Sequence, residues 1–307
     1  MLEYLNERLA AARPPTSLPD LSGHRQHALD DIIDHFSVSL SFDAHGGISL
    51  LSDAESGRSA ASASHPLAAF SYESFTEADF DNFMESYSYC PFPDCPQWAI
   101  LDFGKVDLDV RASPVHHHVR PTIEGVYSKE ADDGRLHVVA VSTMPSDLVV
   151  NYGAPSLVYT EVWLPTTPGA DIDIHVSMFN KTTTRLPETL WVTFNPVDSG
   201  ERLDEWSMRK LSTELSPLNV VNNGSKHMHN VEAVVAPRIA ITPLDSGLAC
   251  FGKPNVFPVP LDETPDVGQG VSFSVYNNIW GTNYVMWYPY HDDEPHLRSR
   301  FVVSLRD

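Results

Sequence analysis

Asp171-Ile172-Asp173-Ile174-His175-Val176-Ser177-Met178 alternates strictly, with apolar residues at the even positions and polar ones at the odd. Successive side chains of a strand point to opposite faces, so this stretch buries one side and presents Asp173, His175 and Ser177 on the other. Upstream, Leu157-Val158-Tyr159-Thr160-Glu161-Val162-Trp163 follows the same rule and sets Tyr159, Glu161 and Trp163 on one face. A carboxylate framed by two aromatics suits a sugar-like or polyketide-like ligand. At a plain strand edge, Glu161 would instead simply point to water.

Outward from these two stretches, strand signals fill most of the chain from Ser37 onward. Residues 37–42, 136–142, 189–194, 227–235, 271–276 and 301–305 are β-branched or aromatic runs bounded by turn residues. With 24 prolines and 16 glycines to punctuate them, the expected fold is all-β, an antiparallel two-sheet sandwich. A length of 307 residues fits one such domain.

Helices are expected to be few and short. Leu2, Leu5 and Leu9 recur at near-helical spacing before Pro14 and Pro15 stop the run. Leu29, Ile32, Ile33 and Phe36 repeat an i, i+3, i+4, i+7 spacing that predicts a helix, or a helix-to-strand entry, over 28–36. Thr76 with Asp79 resembles a capping box, and Phe80, Phe83, Met84 and Tyr87 form a stripe expected to lie in the core. Residues 1–36 thus read as a helical appendage and 37–307 as the sandwich.

Twenty basic and 41 acidic residues leave a formal charge of −21, which repels phosphate backbones and anionic membranes. No nucleic-acid or membrane partner is expected, and no apolar run approaches the roughly 18 residues of a spanning helix. Nine carboxylates against the single Lys105 between Tyr72 and Asp109 read as a solvated acidic surface. The first residues lack a basic and apolar leader pattern, so a cytoplasmic protein is expected. Cys90, Cys95 and Cys250 are too few for a disulfide framework or a structural zinc site and read as structural thiols.

The histidines carry most of the chemical signal. His116, His118 and Arg120 share a strand face, as do His227 and His229. Imidazoles at i, i+2 can divide general acid and base roles near neutral pH, whereas a metal would need third and fourth ligands that the spacing does not supply. The same pairs also suit hydrogen-bonded histidines of structural importance only. There is no nucleophile elbow, phosphate loop, zincin motif or dinucleotide fingerprint.

Three segments resemble a family. They are 180–191, with Lys181, Thr184-Arg185-Leu186-Pro187-Glu188 and Leu190-Trp191; 216–229, ending in His227-Met228-His229; and Asn277-Asn278-Ile279-Trp280-Gly281-Thr282-Asn283-Tyr284 with Trp287-Tyr288. They look like the C-terminal region of uncharacterised proteins related to α-mannosidase-like glycoside hydrolases. The resemblance implies a β-supersandwich of the galactose mutarotase kind. The family's hydrolytic residues belong to a preceding barrel, to which no segment of these 307 residues corresponds, and the first helix resembles the segment joining barrel to sandwich. Within the motifs, Arg185 and Glu188 are expected to form an ion pair at a turn, and Trp280 and Trp287 to serve either core or ligand stacking.

The resulting expectation is a cofactor-independent acid/base enzyme, an isomerase, cyclase or lyase, acting on a small oxygenated molecule as a monomer or homodimer. His116, His118, His175, His227, His229 and Glu161 are the candidate proton-transfer residues. Arg120, Lys181, Tyr159, Trp163, Trp280 and Trp287 are the candidate substrate contacts. The alternatives are a carbohydrate-binding or accessory module and a residual glycoside hydrolase. Metal and cofactor are expected to be dispensable.

Overall fold

The alternating stretches form strands, and burial follows the alternation from Ile172 to His175, which read buried, half-buried, buried, half-buried. The structure is a computed structural model that describes residues 2–87, 104–105, 107–197, 202–221, 224–257, 264–280 and 295–306. Helices are α1 (Leu2–Ala12), α2 (Glu77–Tyr87), α3 (Leu108–Arg111) and α4 (Ser146–Tyr152). Strands β1 to β6 are Arg25–His27, Ile33–His35, Val38–Phe42, Ile48–Asp53, Arg58–Ala61 and Ala69–Ser74. Strands β7 to β12 are His117–Val119, Thr122–Glu130, Leu136–Thr143, Leu157–Leu164, Ile172–Phe179 and Glu188–Phe194. Strands β13 to β18 are Ser207–Lys210, Thr213–Leu215, Met228–Asn230, Ala233–Ala236, Ile239–Pro243 and Leu248–Phe251, followed by β19 (Val271–Asn277) and β20 (Leu297–Leu305).

Among the described residues the strands form three antiparallel sheets. Ten strands run in the order β1-β8-β9-β10-β11-β20-β17-β16-β13-β14, six in the order β15-β18-β19-β12-β6-β7, and four in the order β2-β3-β4-β5. The two larger sheets face each other as a sandwich. Phe301 of β20 meets Phe194 of β12 and Phe273 of β19 at ring-centroid distances of 5.0 and 5.2 Å. Leu40 and Leu51 of the four-stranded sheet belong to the same apolar core.

The outer sides of the two sheets differ. On the six-stranded sheet a second apolar cluster, formed by Phe75, Phe80, Phe83, Met84, Trp191 and Phe257, roofs the strands, so every residue of β6 is buried. Phe80, Phe83 and Met84 of the α2 stripe are thus core, as their spacing implies. Its start is a reciprocal cap: Thr76 donates from its amide and hydroxyl to Asp79 Oδ2 at 2.7 and 2.9 Å. On the ten-stranded sheet, among the described residues, one small cluster, Val139, Tyr159 and Phe179 with Leu21 against them, covers part of the outer side.

Three sequence expectations change. The spacing at 28–36 does not make a helix: Leu29 and Ile32 are 43% and 60% exposed, and Ile33 buries its side chain as the first residue of β2. Residues 25–27 pair with β8, so part of the supposed appendage is an edge strand of the large sheet. The single strand expected over 227–235 is two, β15 in the six-stranded sheet and β16 in the ten-stranded one. Between them the amide of Val231 bonds to Gly247 and that of Glu232 to Arg209, which carries the chain from one sheet to the other. Among the described residues no helix is long and apolar enough to cross a membrane.

Candidate functional site

Strands β9, β10, β11 and β20 lie side by side, and their register assembles a polar row on the outer face of the ten-stranded sheet. Glu161 stands opposite His175, which stands opposite Arg300, while Trp163 stands opposite His137. Diagonal neighbours on one face are close enough for long side chains to meet. His137 Nε2 accordingly donates to Glu161 Oε1 at 3.2 Å, and Ser177 Oγ donates to Glu161 Oε2 at 3.5 Å. Both members of the imidazole–carboxylate pair are mostly buried, at 19% and 12% side-chain exposure.

Trp163 separates the two imidazoles. Its indole stacks on His137 with centroids 4.5 Å apart and planes 14° apart, and His175 lies tilted against it at 4.3 Å. A ligand therefore meets an imidazole–indole–imidazole row rather than a bare aromatic platform. Desolvation, aided by the charges of Arg298 and Arg300, holds His175 down to about 4, although Glu161 and Asp173 pull the other way. The ring is neutral at physiological pH. The Tyr159 phenol is raised, first by burial and then by Tyr127 and Glu161, so it keeps its proton.

The segment before β1 reaches this face. Leu21 packs on the Tyr159 cluster, Arg298 donates to the carbonyl of Arg13 at 2.6 Å, and His24 Nε2 faces His137 Nδ1 at 3.5 Å. Because Glu161 takes the Nε2 hydrogen of His137, the Nδ1 facing His24 is the basic lone pair in the neutral ring.

Of the residues singled out from sequence, Tyr159, Glu161, Trp163 and His175 come together here. The others lie elsewhere. His116 and His118 flank β6 on the six-stranded sheet, where His118 Nε2 meets Ser71 Oγ at 3.0 Å and burial lowers its basicity. Arg120 lies beyond β7 and pairs with Asp43 at 2.7 Å, so it does not share a site with the two histidines. Lys181 is fully buried and donates to Glu188 at 2.6 Å and to the carbonyls of Gly153 and Thr182. The ion pair that Glu188 makes is therefore with Lys181, seven residues back, and this lysine is enclosed rather than open to a ligand.

His229 is buried against Phe251, with its Nε2 donating to the carbonyl of Lys226, while Met228 packs on the outer cluster. His229 thus lies on the buried side of β15, while the other side carries half-buried Met228 and exposed Asn230, so His229 is not open to a ligand. His227 is half-buried next to it, and its carbonyl accepts the amide of Phe251. Trp280 borders the aromatic roof, 5.4 Å from Phe83 and 5.9 Å from Phe257. Trp287, Cys90 and Cys95 lie outside the described residues.

Sequence reasoning missed His137, His24 and Arg298. His137 carried one usable signal, since it falls on the polar phase of a strand whose neighbour holds Trp163, but only the register shows that the two meet. Among the described residues no group of three or more His, Cys, Asp or Glu side chains is placed to hold a metal ion.

A family model described as a domain of unknown function, DUF5054, matches residues 3–169, more than half of the chain. The protein belongs to the DUF5054 family. The DUF5054 match spans α1 through β10, and so includes His24, His137, Glu161 and Trp163, whereas His175, Ser177 and Arg298 lie beyond it. No curated protein matches the chain.

Proposed function

We propose that the outer face of the ten-stranded sheet binds a small oxygenated organic molecule and exchanges protons with it, as a cofactor-independent isomerase, cyclase or lyase does. The observation that carries this reading is the His137–Glu161 pair beside a neutral His175. A carboxylate on one imidazole nitrogen orients the ring and stabilises the cation formed when the other nitrogen takes a proton. The contact from His24 to that nitrogen sits at the outer limit of hydrogen-bond length, so a ligand hydroxyl can replace it. His137 Nδ1 then removes the ligand proton, Glu161 holds the imidazolium, neutral His175 hydrogen-bonds the ligand, and the Arg298 guanidinium offsets developing negative charge.

The α-mannosidase-like relationship and the mutarotase-like form of the sandwich belong to this reading, and so do a cytoplasmic location and a monomer or homodimer that binds neither nucleic acid nor membranes. The formal charge of −21 supports the last point. A carbohydrate-binding or accessory module is the second reading, favoured by Trp280 at the margin of the aromatic roof. Residual glycoside hydrolysis would need a second carboxylate facing Glu161 across a sugar.

The test is NMR of the His137, His175 and Trp163 side chains during titration with small polyols, hydroxy-ketones and phenols. Saturable shifts at all three, lost in Glu161→Gln, are expected, together with turnover that falls about 10²- to 10⁴-fold in His137→Ala. Saturable binding that leaves these three signals unmoved would overturn the assignment. Binding at this row without any proton exchange would favour the module.

A further inference from the structure

A second polar line crosses the roofed side of the six-stranded sheet. Glu73 of β6 lies there with 6% of its side chain exposed. Its Oε2 accepts the indole hydrogen of Trp191 at 2.7 Å, and its Oε1 lies 3.6 Å from His116 Nε2. His116 Nδ1 in turn faces Asp79 Oδ2 at 3.2 Å, the same oxygen that accepts both donors of Thr76. An oxygen so placed is a carboxylate acceptor, so His116 carries its hydrogen on Nδ1 and leaves Nε2 bare. By the same logic, the indole on Oε2 puts the acid proton of Glu73 on Oε1. A bare base and an acid proton therefore face one gap.

Burial pushes Glu73 up to about 7 against the opposing pull of Trp191, His116 and Lys253, so its acid form persists near neutrality. The other groups facing the line are His118 on β7, the buried Cys250 thiol on β18, Asp79 on α2 and Lys253 after β18. The gap exceeds direct hydrogen-bond length, and His116 is 44% exposed, with Phe75 against one edge of its ring at 5.6 Å. A small molecule can thus lie over the gap on the solvent side of His116.

We propose that Glu73 and His116 form a second proton-transfer site, separate from the His137–Glu161 row, which takes a small carbonyl compound bearing an ionisable C–H next to the carbonyl. His116 Nε2 takes the proton as the C–H bond breaks, and its electron pair forms the carbon–carbon double bond. The carbonyl π pair moves to oxygen, which takes the proton of Glu73. The product is the enol, His116 is an imidazolium held by Asp79, and Glu73 is a carboxylate; the reverse steps restore both groups. Asp79 and Trp191 are positioning residues, acting through His116 and Glu73.

Dihydroxyacetone and glyceraldehyde in deuterium oxide are the probes, with the loss of C–H signal followed by proton NMR. Exchange faster than in buffer is expected, falling about 100-fold in His116→Asn and in Glu73→Gln. Asp79→Asn should keep part of the exchange but move its pH profile, because the imidazolium loses its carboxylate, a change that a merely structural role would not produce. Exchange no faster than in buffer, or unaltered in His116→Asn, overturns the proposal. If a variant does not fold, carbon NMR of the wild-type carboxyls decides: a Glu73 midpoint near 7 that is coupled to His116 supports the site, and one in the ordinary carboxylate range overturns it.

Discussion

The outer faces of the two large sheets use the same chemical parts, a glutamate, an imidazole pair and a tryptophan, under different cover. On the ten-stranded sheet the row of His137, Glu161, Trp163 and His175 is only partly covered, by Leu21 and its neighbours. On the six-stranded sheet α2 and Phe257 roof Glu73 and Trp191. Burial suppresses the charged form in both places, but it acts on opposite kinds of group. It keeps a base, His175, neutral on one face and an acid, Glu73, neutral on the other. What differs between the faces is therefore which member of an acid–base pair is desolvated most.

The roof is the largest difference, and removing part of it should have the largest effect. Phe83→Ala is expected to cost about 4 kcal/mol, as for other buried phenylalanines, because Phe83 packs on Phe257 and Trp280. Chemical denaturation measures this, and a loss below about 1 kcal/mol would mean that the roof is not a packed layer.

The next two effects are opposite in sign. Glu73 has its folded pKa raised from 4.5 to about 7, so it favours folding fully below pH 4.5 and loses that contribution as pH rises to about 7. The span corresponds to about 3 kcal/mol. His175 has its folded pKa lowered from 6.5 to about 4, so its contribution is present above pH 6.5 and is lost as pH falls towards 4. Allowing for its partial exposure, about 2 kcal/mol is expected. From pH 4.5 to 6.5 these two slopes largely cancel. Glu73→Gln should therefore leave stability rising with pH across that range, and His175→Gln should leave it falling, both read from denaturant midpoints at several pH values. Identical slopes in the two variants would break the comparison.

The smallest effect is expected away from both faces. Leu9 of α1 is 63% exposed, and Leu9→Ala should change stability by no more than about 0.5 kcal/mol. A larger loss would show that the helix packs on a partner.

Much of this architecture was legible in the residues. Strands 157–164 and 172–179 were readable because one face is core and the other polar, which imprints a period of two. The α2 start was readable because a cap uses neighbours in sequence, Thr76 and Asp79. The spacing at 28–36 misled because four apolar residues can match a helical period without sharing one buried face, and the pairing of 33–35 with β3 prevailed. The site was half legible: alternation placed Tyr159, Glu161 and Trp163 together, but nothing local joined them to His137, 24 residues from Glu161.

By itself the sequence determined the all-β class, the alternation of faces along 157–164 and 172–175 and the negative charge, since these depend on composition and on neighbours along the chain. Register, layer and cover were decided by the tertiary structure alone. Those three choose His137 as the partner of Glu161, pair Lys181 with Glu188, and turn Glu73 from one more carboxylate in an acidic stretch into a buried acid facing His116. The reason is physical: hydrogen-bond partners across strands and the loss of water around a charge are set by contacts distant in sequence, and no local period records them.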